Sequence, residues 1–146
     1  MQNYFRQKAV IIPSFLLKVT NGTPGWIGAV DPYTNWATAV TNSVIYFNTA
    51  PNAVNFTNTG GNTGLSYSCV IPAVDGTRNI TNDPGLVNLD GGDYRLNGNS
   101  PCVNAGLNQN WMTNAVDLDG RSRIRYGTVD MGVYEVIFGG TIYGFH

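Results

Sequence analysis

Asn42-Ser43-Val44-Ile45-Tyr46-Phe47-Asn48-Thr49-Ala50 decides how this chain folds: it is an apolar run with asparagine at both ends. A strand with one wet face alternates apolar and polar residues, whereas a strand covered on both faces, as in a parallel sheet, reads as an unbroken apolar run. Asn42 and Asn48 then fall in turns, where a short amide side chain bonds the local backbone.

Outward from this stretch, short β-rich runs recur at about 20–30 residues, separated by Asn and Gly, which is the mark of a solenoid. The predicted strands are residues 9–12 with 15–19, then 26–30, 37–40, 43–47, 53–56 and 65–70. In such a coil each circuit adds one strand to each of several parallel sheets, and turn asparagines of neighbouring coils are expected to stack as ladders. Thr57-Asn58-Thr59-Gly60-Gly61-Asn62-Thr63-Gly64 reads as a wide turn.

Composition agrees with an all-β chain. One glutamate stands beside eight aspartates, and Asp shapes turns while Glu mostly populates helices. The 146 residues suit one domain. Eight Lys and Arg against nine Asp and Glu, for a net charge of −1, provide no basic field and argue against a nucleic-acid partner. Arg6 and Lys8 precede the apolar run Ala9-Val10-Ile11-Ile12, faintly like a signal peptide. Pro13 and Lys18 interrupt that run and no small-x-small cleavage pattern follows, so residues 8–20 read as a strand pair. No stretch reaches the ~20 apolar residues of a membrane span.

The last third carries motifs in a set order. Asn82-Asp83-Pro84-Gly85-Leu86-Val87-Asn88 is followed by Gly92-Asp93-Tyr94-Arg95-Leu96 and Asn99-Ser100-Pro101-Cys102-Val103-Asn104-Ala105-Gly106. Then come Asp117-Leu118-Asp119-Gly120-Arg121-Ser122-Arg123-Ile124 and Gly127-Thr128-Val129-Asp130-Met131-Gly132-Val133-Tyr134-Glu135. From Thr41 to Glu135 this order resembles the C-terminal closing region of bacterial secreted right-handed parallel β-helix proteins, pectin-lyase-like domains of the choice-of-anchor type. The resemblance implies an extracellular or cell-surface setting. It also implies β-helix coils over about 1–70, an irregular cap over about 71–135 with short strands at 94–96 and 133–136, and an extra C-terminal strand over 136–146. That family often has cysteines at the positions of Cys69 and Cys102, which implies a disulfide; two buried free thiols are the other reading.

The N-terminus shows no comparable cap, and proteins of that family carry many more coils ahead of this region. The chain therefore reads as the C-terminal part of a larger surface protein. Its open first coil is expected to be plugged by Tyr4, Phe5 and Trp26 or to pair with a second copy, giving a homo-oligomer.

Four acidic residues are the only dense supply of carboxylates: Asp117, Asp119, Asp130 and Glu135. They are the candidate catalytic residues, since glycoside hydrolysis needs two carboxyl groups. Asp117, Asp119 and Asp130 are the candidate ligands for Ca²⁺, with Gly120 allowing the tight turn. The competing reading is an Asp-rich turn neutralised by Arg121, Arg123 and Arg125. Those arginines share one face if the segment is extended, and such a face clamps either an acidic sugar or the neighbouring carboxylates. Trp26, Trp36, Trp111 and the eight tyrosines are candidate stacking platforms for sugar rings, or else structural, with a tryptophan in a Gly/Pro loop plugging the core. The lone histidine, His146, and the lack of Gly-x-Ser-x-Gly argue against Ser-His-Asp catalysis. Taken together, the sequence predicts an exported structural or carbohydrate-binding module with polysaccharide as partner. The alternative is a polysaccharide hydrolase, a Ca²⁺-dependent lyase, or the remnant of one.

Overall fold

The computed structural model describes residues 10–13, 16–17, 38–48 and 63–139. Six short strands alternate between two parallel sheets. β1 (Val10–Pro13), β3 (Thr38–Thr41) and β5 (Thr63–Ser66) form the first; β2 (Leu16–Leu17), β4 (Val44–Ile45) and β6 (Cys69–Val70) form the second. Val10, Thr38 and Thr63 stand in register, as do Leu16, Val44 and Cys69. One circuit thus takes 28 residues, from 10 to 38, and the next takes 25, from 38 to 63.

A corner separates the paired strands of each circuit, and the same left-handed backbone builds it twice, at Asn42 (φ 55°) and Tyr67 (φ 47°). The expected asparagine ladder is absent from these corners. Hydroxyls stack there instead: Thr41 Oγ1 lies 3.2 Å from Ser66 Oγ, and the Ser43 amide donates to Ser68 Oγ at 3.2 Å. Ser43 and Ser68 each donate back to a carbonyl two residues earlier, Thr41 and Ser66, at 2.9 Å. A compact hydroxyl satisfies polar groups inside a tight corner where an amide has no room, and Asn42 is thereby released for another contact.

Neighbouring side chains in a strand point to opposite faces, and the cores divide accordingly. Ile45 and Val70 join Val40 and Leu65 in one buried cluster, against which Val74 packs. Val44 and Cys69 point the other way and join Leu96, Cys102 and Met131 in a second. The second sheet is therefore covered on both faces, which is why its strands read as unbroken apolar runs.

The segment after β6 divides its coverage between these clusters. Residues 71–80 cross the end of the last circuit, where Asn79 Nδ2 donates to the carbonyls of Leu65 and Val74 at 3.1 and 3.2 Å. Ile80 then forms a parallel bridge with Cys69, adding a partial fourth rung to the second sheet. Leu96, Cys102 and Met131 of the segment over 86–139 pack against the face of that sheet that carries Val44 and Cys69. The antiparallel pair β7 (Leu86–Asn88) and β8 (Asp93–Leu96) and a 3-10 helix at Asn110–Asn114 are the segment's only regular elements among the described residues.

Asn42 fastens this cover to the coil. Its Nδ2 donates to the Leu107 carbonyl at 2.9 Å and its Oδ1 accepts from the Leu107 amide at 2.7 Å, while its own carbonyl accepts from the Gly132 amide at 2.8 Å. Gly106 makes the approach possible: a β-carbon there would sit 2.8 Å from Val129 Cγ1 and from the Val129 carbonyl oxygen.

Several expectations are corrected. The strand expected over 43–47 is only Val44–Ile45, because Phe47 turns the chain at φ 58°. The strand expected over 65–70 is two strands split by the corner at Tyr67. No strand forms over 133–136 or over 136–139, since carboxylate side chains bind that backbone in place of a neighbouring strand. The predicted strands at 26–30 and 53–56, the aromatic plug of Tyr4, Phe5 and Trp26, and residues 140–146 lie outside the described residues. Among the described residues no helix is long and apolar enough to cross a membrane.

Candidate functional site

An irregular segment has no ladder to satisfy its amides, so side-chain acceptors must do it. Asp117 closes its own loop: Oδ1 accepts from the amides of Asp119 and Arg121 at 2.9 and 2.8 Å, and Oδ2 accepts from the Glu135 amide at 2.8 Å. Asp130, 2% exposed, bridges two distant strands of chain, taking the Asn104 amide on Oδ1 and the Val136 amide on Oδ2, both at 2.7 Å. Glu135, also 2% exposed, accepts from the Asp130 amide at 3.1 Å, with its other oxygen 3.0 Å from Arg123 Nη1. Arg123 is buried and donates to the Gly132 carbonyl at 3.0 Å.

Burial dominates the titration of this network. It raises the Asp130 carboxyl above its ordinary range and pushes Glu135 up to about 8, against the opposing pull of Arg123. A raised carboxyl is what a general acid needs, but buried structural networks raise carboxyls too. Glu135 borders the cleft beside Arg95, yet its side-chain oxygens are buried and Oε1 faces Arg123. Nor is the expected cation site assembled. The oxygens of Asp117 and Asp130 are held by backbone amides, Asp119 faces two arginines, and among the described residues no three acidic, His or Cys side chains converge as metal ligands.

Arg121, Arg123 and Arg125 do not share a face, because the segment is bent rather than extended. Arg123 points into the buried network. Arg121 Nη1 turns outward to Asp119 Oδ2 at 2.7 Å. Arg95, from β8, holds the same carboxylate in a fork, Nε to Oδ2 at 2.8 Å and Nη2 to Oδ1 at 2.6 Å, while its Nη1 reaches Asp93 at 2.9 Å. The fork holds the Asp119 carboxyl below the usual carboxylate range. Arg125 lies over the Tyr126 ring at 5.7 Å, and its buried Nε finds no hydrogen-bond partner among the described residues.

The outward arginines border a cleft of about 330 Å³, at the lower end of the range for small-ligand sites. Arg95 stacks on Tyr134 at 4.8 Å on one side, and Val87, Asn97, Arg121 and Ile137 lie around it. Phe138 comes next along the chain. It lies close to Gly98, where a β-carbon would meet its ring at 3.8 Å, and it meets the Tyr126 ring at 5.3 Å. Sequence reasoning offered the eight tyrosines as a group without singling out Tyr126 or Tyr134, set Arg95 aside as a lyase base, and did not name Phe138 as a site residue. One signal was available for Tyr126: a bulky residue immediately before Gly127, where a tight hairpin turn favours Asn-Gly.

Of the remaining candidates, Trp111 is half-exposed on the 3-10 helix and donates its indole N–H to Gln109 at 2.7 Å, away from the cleft. Trp26 and Trp36 lie outside the described residues. The bridge expected between Cys69 and Cys102 is not closed. Both are free, fully buried thiols in contact with each other, and hydrogen bonding to Cys102 together with burial pushes the Cys69 thiol up. Comparison with protein-family models, with curated proteins and with solved structures finds no match.

Proposed function

We propose that this chain is the end of an exported right-handed parallel β-helix, a structural module of a larger bacterial surface protein that presents a carbohydrate-contacting face. Two registered parallel sheets with circuits of 28 and 25 residues support the solenoid reading. The observation that carries the functional reading is the use made of the carboxylates. Asp117, Asp130 and Glu135 are buried and engaged with backbone amides or Arg123, which suits a rigid scaffold and commits three of the four candidate carboxylates to holding the chain together. The cleft between Arg95, Tyr134 and Arg121 supplies the contacting face.

Calorimetric titration against neutral and acidic polysaccharides, with and without Ca²⁺, tests the reading while the same mixtures are watched for reducing ends and unsaturated uronate absorbance. Binding without turnover, indifferent to Ca²⁺, is expected. Turnover that disappears in Asp119→Asn, a change on the cleft side that leaves the buried network intact, would make the chain an enzyme. We further propose that the chain forms a homo-oligomer, and a strict monomer in sedimentation at high protein concentration would remove that part of the reading.

A further inference from the structure

The turn from Arg125 to Thr128 is closed by the Thr128 amide donating to the Arg125 carbonyl at 3.2 Å, with both central residues in the left-handed region, Tyr126 at φ 51° and Gly127 at 92°. Asn or Gly adopts that conformation with little strain, and an aromatic residue does not. Tyr126 is nonetheless 56% exposed, so burial does not compensate for the strain. Its ring is held in place: the Tyr126 hydroxyl accepts from the Phe138 amide at 3.2 Å, and the ring of Phe138, a residue 46% exposed, leans against it. A strained, fixed and wet pair of rings is the arrangement expected of a stacking platform, since sugar C–H faces lie well on preorganised aromatics.

Charge gives the platform its preference. Asp93 and Asp119 balance Arg95 and Arg121, whereas no carboxylate among the described residues pairs with Arg125, which leaves one uncompensated cation beside Tyr126. Arg121 commits only Nη1, so its Nε–Nη2 edge, the fork that grips a carboxylate, is unengaged among the described residues. Gly98 and Ile137 connect this edge to the aromatic pair. We infer that Tyr126, Phe138, Arg125 and Arg121 form a binding site for an acidic oligosaccharide, with ring stacking on the aromatic pair and carboxylates on the two arginines. The inference rests on the carbohydrate-contacting reading above, extends its face from the cleft to the Tyr126–Phe138 pair, and adds a charge requirement.

The test is calorimetry on the whole chain with a hexuronate oligosaccharide, the same oligosaccharide with its carboxyls reduced to alcohols, and oligoglutamate. The hexuronate should bind at least tenfold more tightly than the reduced form, a difference of about 1.4 kcal/mol, and more weakly as salt rises. Arg125→Gln should weaken it about tenfold. Tyr126→Asn should do the same while the melting temperature stays level or rises, because Asn suits the turn; a merely structural tyrosine would lower the melting temperature and leave affinity unchanged. Equal affinity for charged and reduced sugars, with both variants silent, overturns this site and leaves the carbohydrate-contacting module standing. Oligoglutamate bound as tightly as hexuronate overturns the sugar assignment. Turnover of any sugar defeats the module reading instead, whatever the charge dependence.

Discussion

Asp130→Asn separates a scaffold carboxylate from a chemical one. The two oxygens of Asp130 take the amides of Asn104 and Val136, both at 2.7 Å, in a site 2% exposed. An asparagine keeps one acceptor and turns its NH₂ against the other amide. The substitution therefore loses a hydrogen bond to a charged group, about 1.5–3 kcal/mol, and strands a buried donor, about 1–3 kcal/mol. These losses overlap, and removing a carboxylate that burial already disfavours offsets part of them. The net expectation is destabilisation of about 2–4 kcal/mol, or about 4–16 °C in melting temperature. Urea unfolding followed by fluorescence and circular dichroism measures it, with an unchanged m-value marking a stability effect. Asp90→Asn, at an exposed position, serves as control and should stay within about 0.5 kcal/mol. A midpoint for Asp130→Asn indistinguishable from the control refutes the reasoning, because a carboxylate bridging two segments cannot be lost silently.

Three further outcomes test other parts of the fold. Glu135 is raised from 4.5 to about 8 in the folded chain, so its contribution to stability is fully present below pH 4.5 and is lost as pH rises through 8, amounting to about 3 kcal/mol by pH 7. Glu135→Gln should flatten the stability curve across that window, and a native curve already flat there contradicts the assignment. Refolding with a glutathione redox buffer should join Cys69 to Cys102, stabilising the chain by about 3–4 kcal/mol in the chain-entropy description; native thiols that react promptly with an aqueous thiol reagent would show that the two are not buried together. Gly106→Ala should cost more than about 2 kcal/mol because its methyl meets Val129 and Asn42, whereas Gly64→Ala, with open space at the β-carbon, should change little in a thermal melt.

The parallel strands were legible in the sequence to the extent that burial on both faces writes an unbroken apolar run, as at Val44–Ile45 and Cys69–Val70. Its boundaries were not, because Phe47 and Tyr67 read as strand residues and are left-handed corners. A sharper signal lay in aligning Thr41-Asn42-Ser43-Val44-Ile45 with Ser66-Tyr67-Ser68-Cys69-Val70: a hydroxyl, any residue, a serine and two buried apolar positions, repeated in register. Asn42 was assigned to a ladder and became a clasp, since the partner at its equivalent position is a tyrosine. The acidic cluster was misread for a different reason. Sequence shows which carboxylates are available but not which amides lack partners, and the amides that bind Asp130 come from residues 104 and 136.

The stretch from Arg121 to Gly127 combines anchoring and display within a few residues. Being bent, it sends Arg123 inward to Glu135 and leaves Arg121 and Arg125 at the surface. Those roles respond differently to substitution: removing the inward arginine strips the buried Glu135, which stands beside Asp117 and Asp130, of its cation and leaves the Gly132 carbonyl without that donor. The outward arginines meet solvent and carry no comparable penalty. The surface between them can therefore change its charge without weakening the contacts that hold the cover to the second sheet.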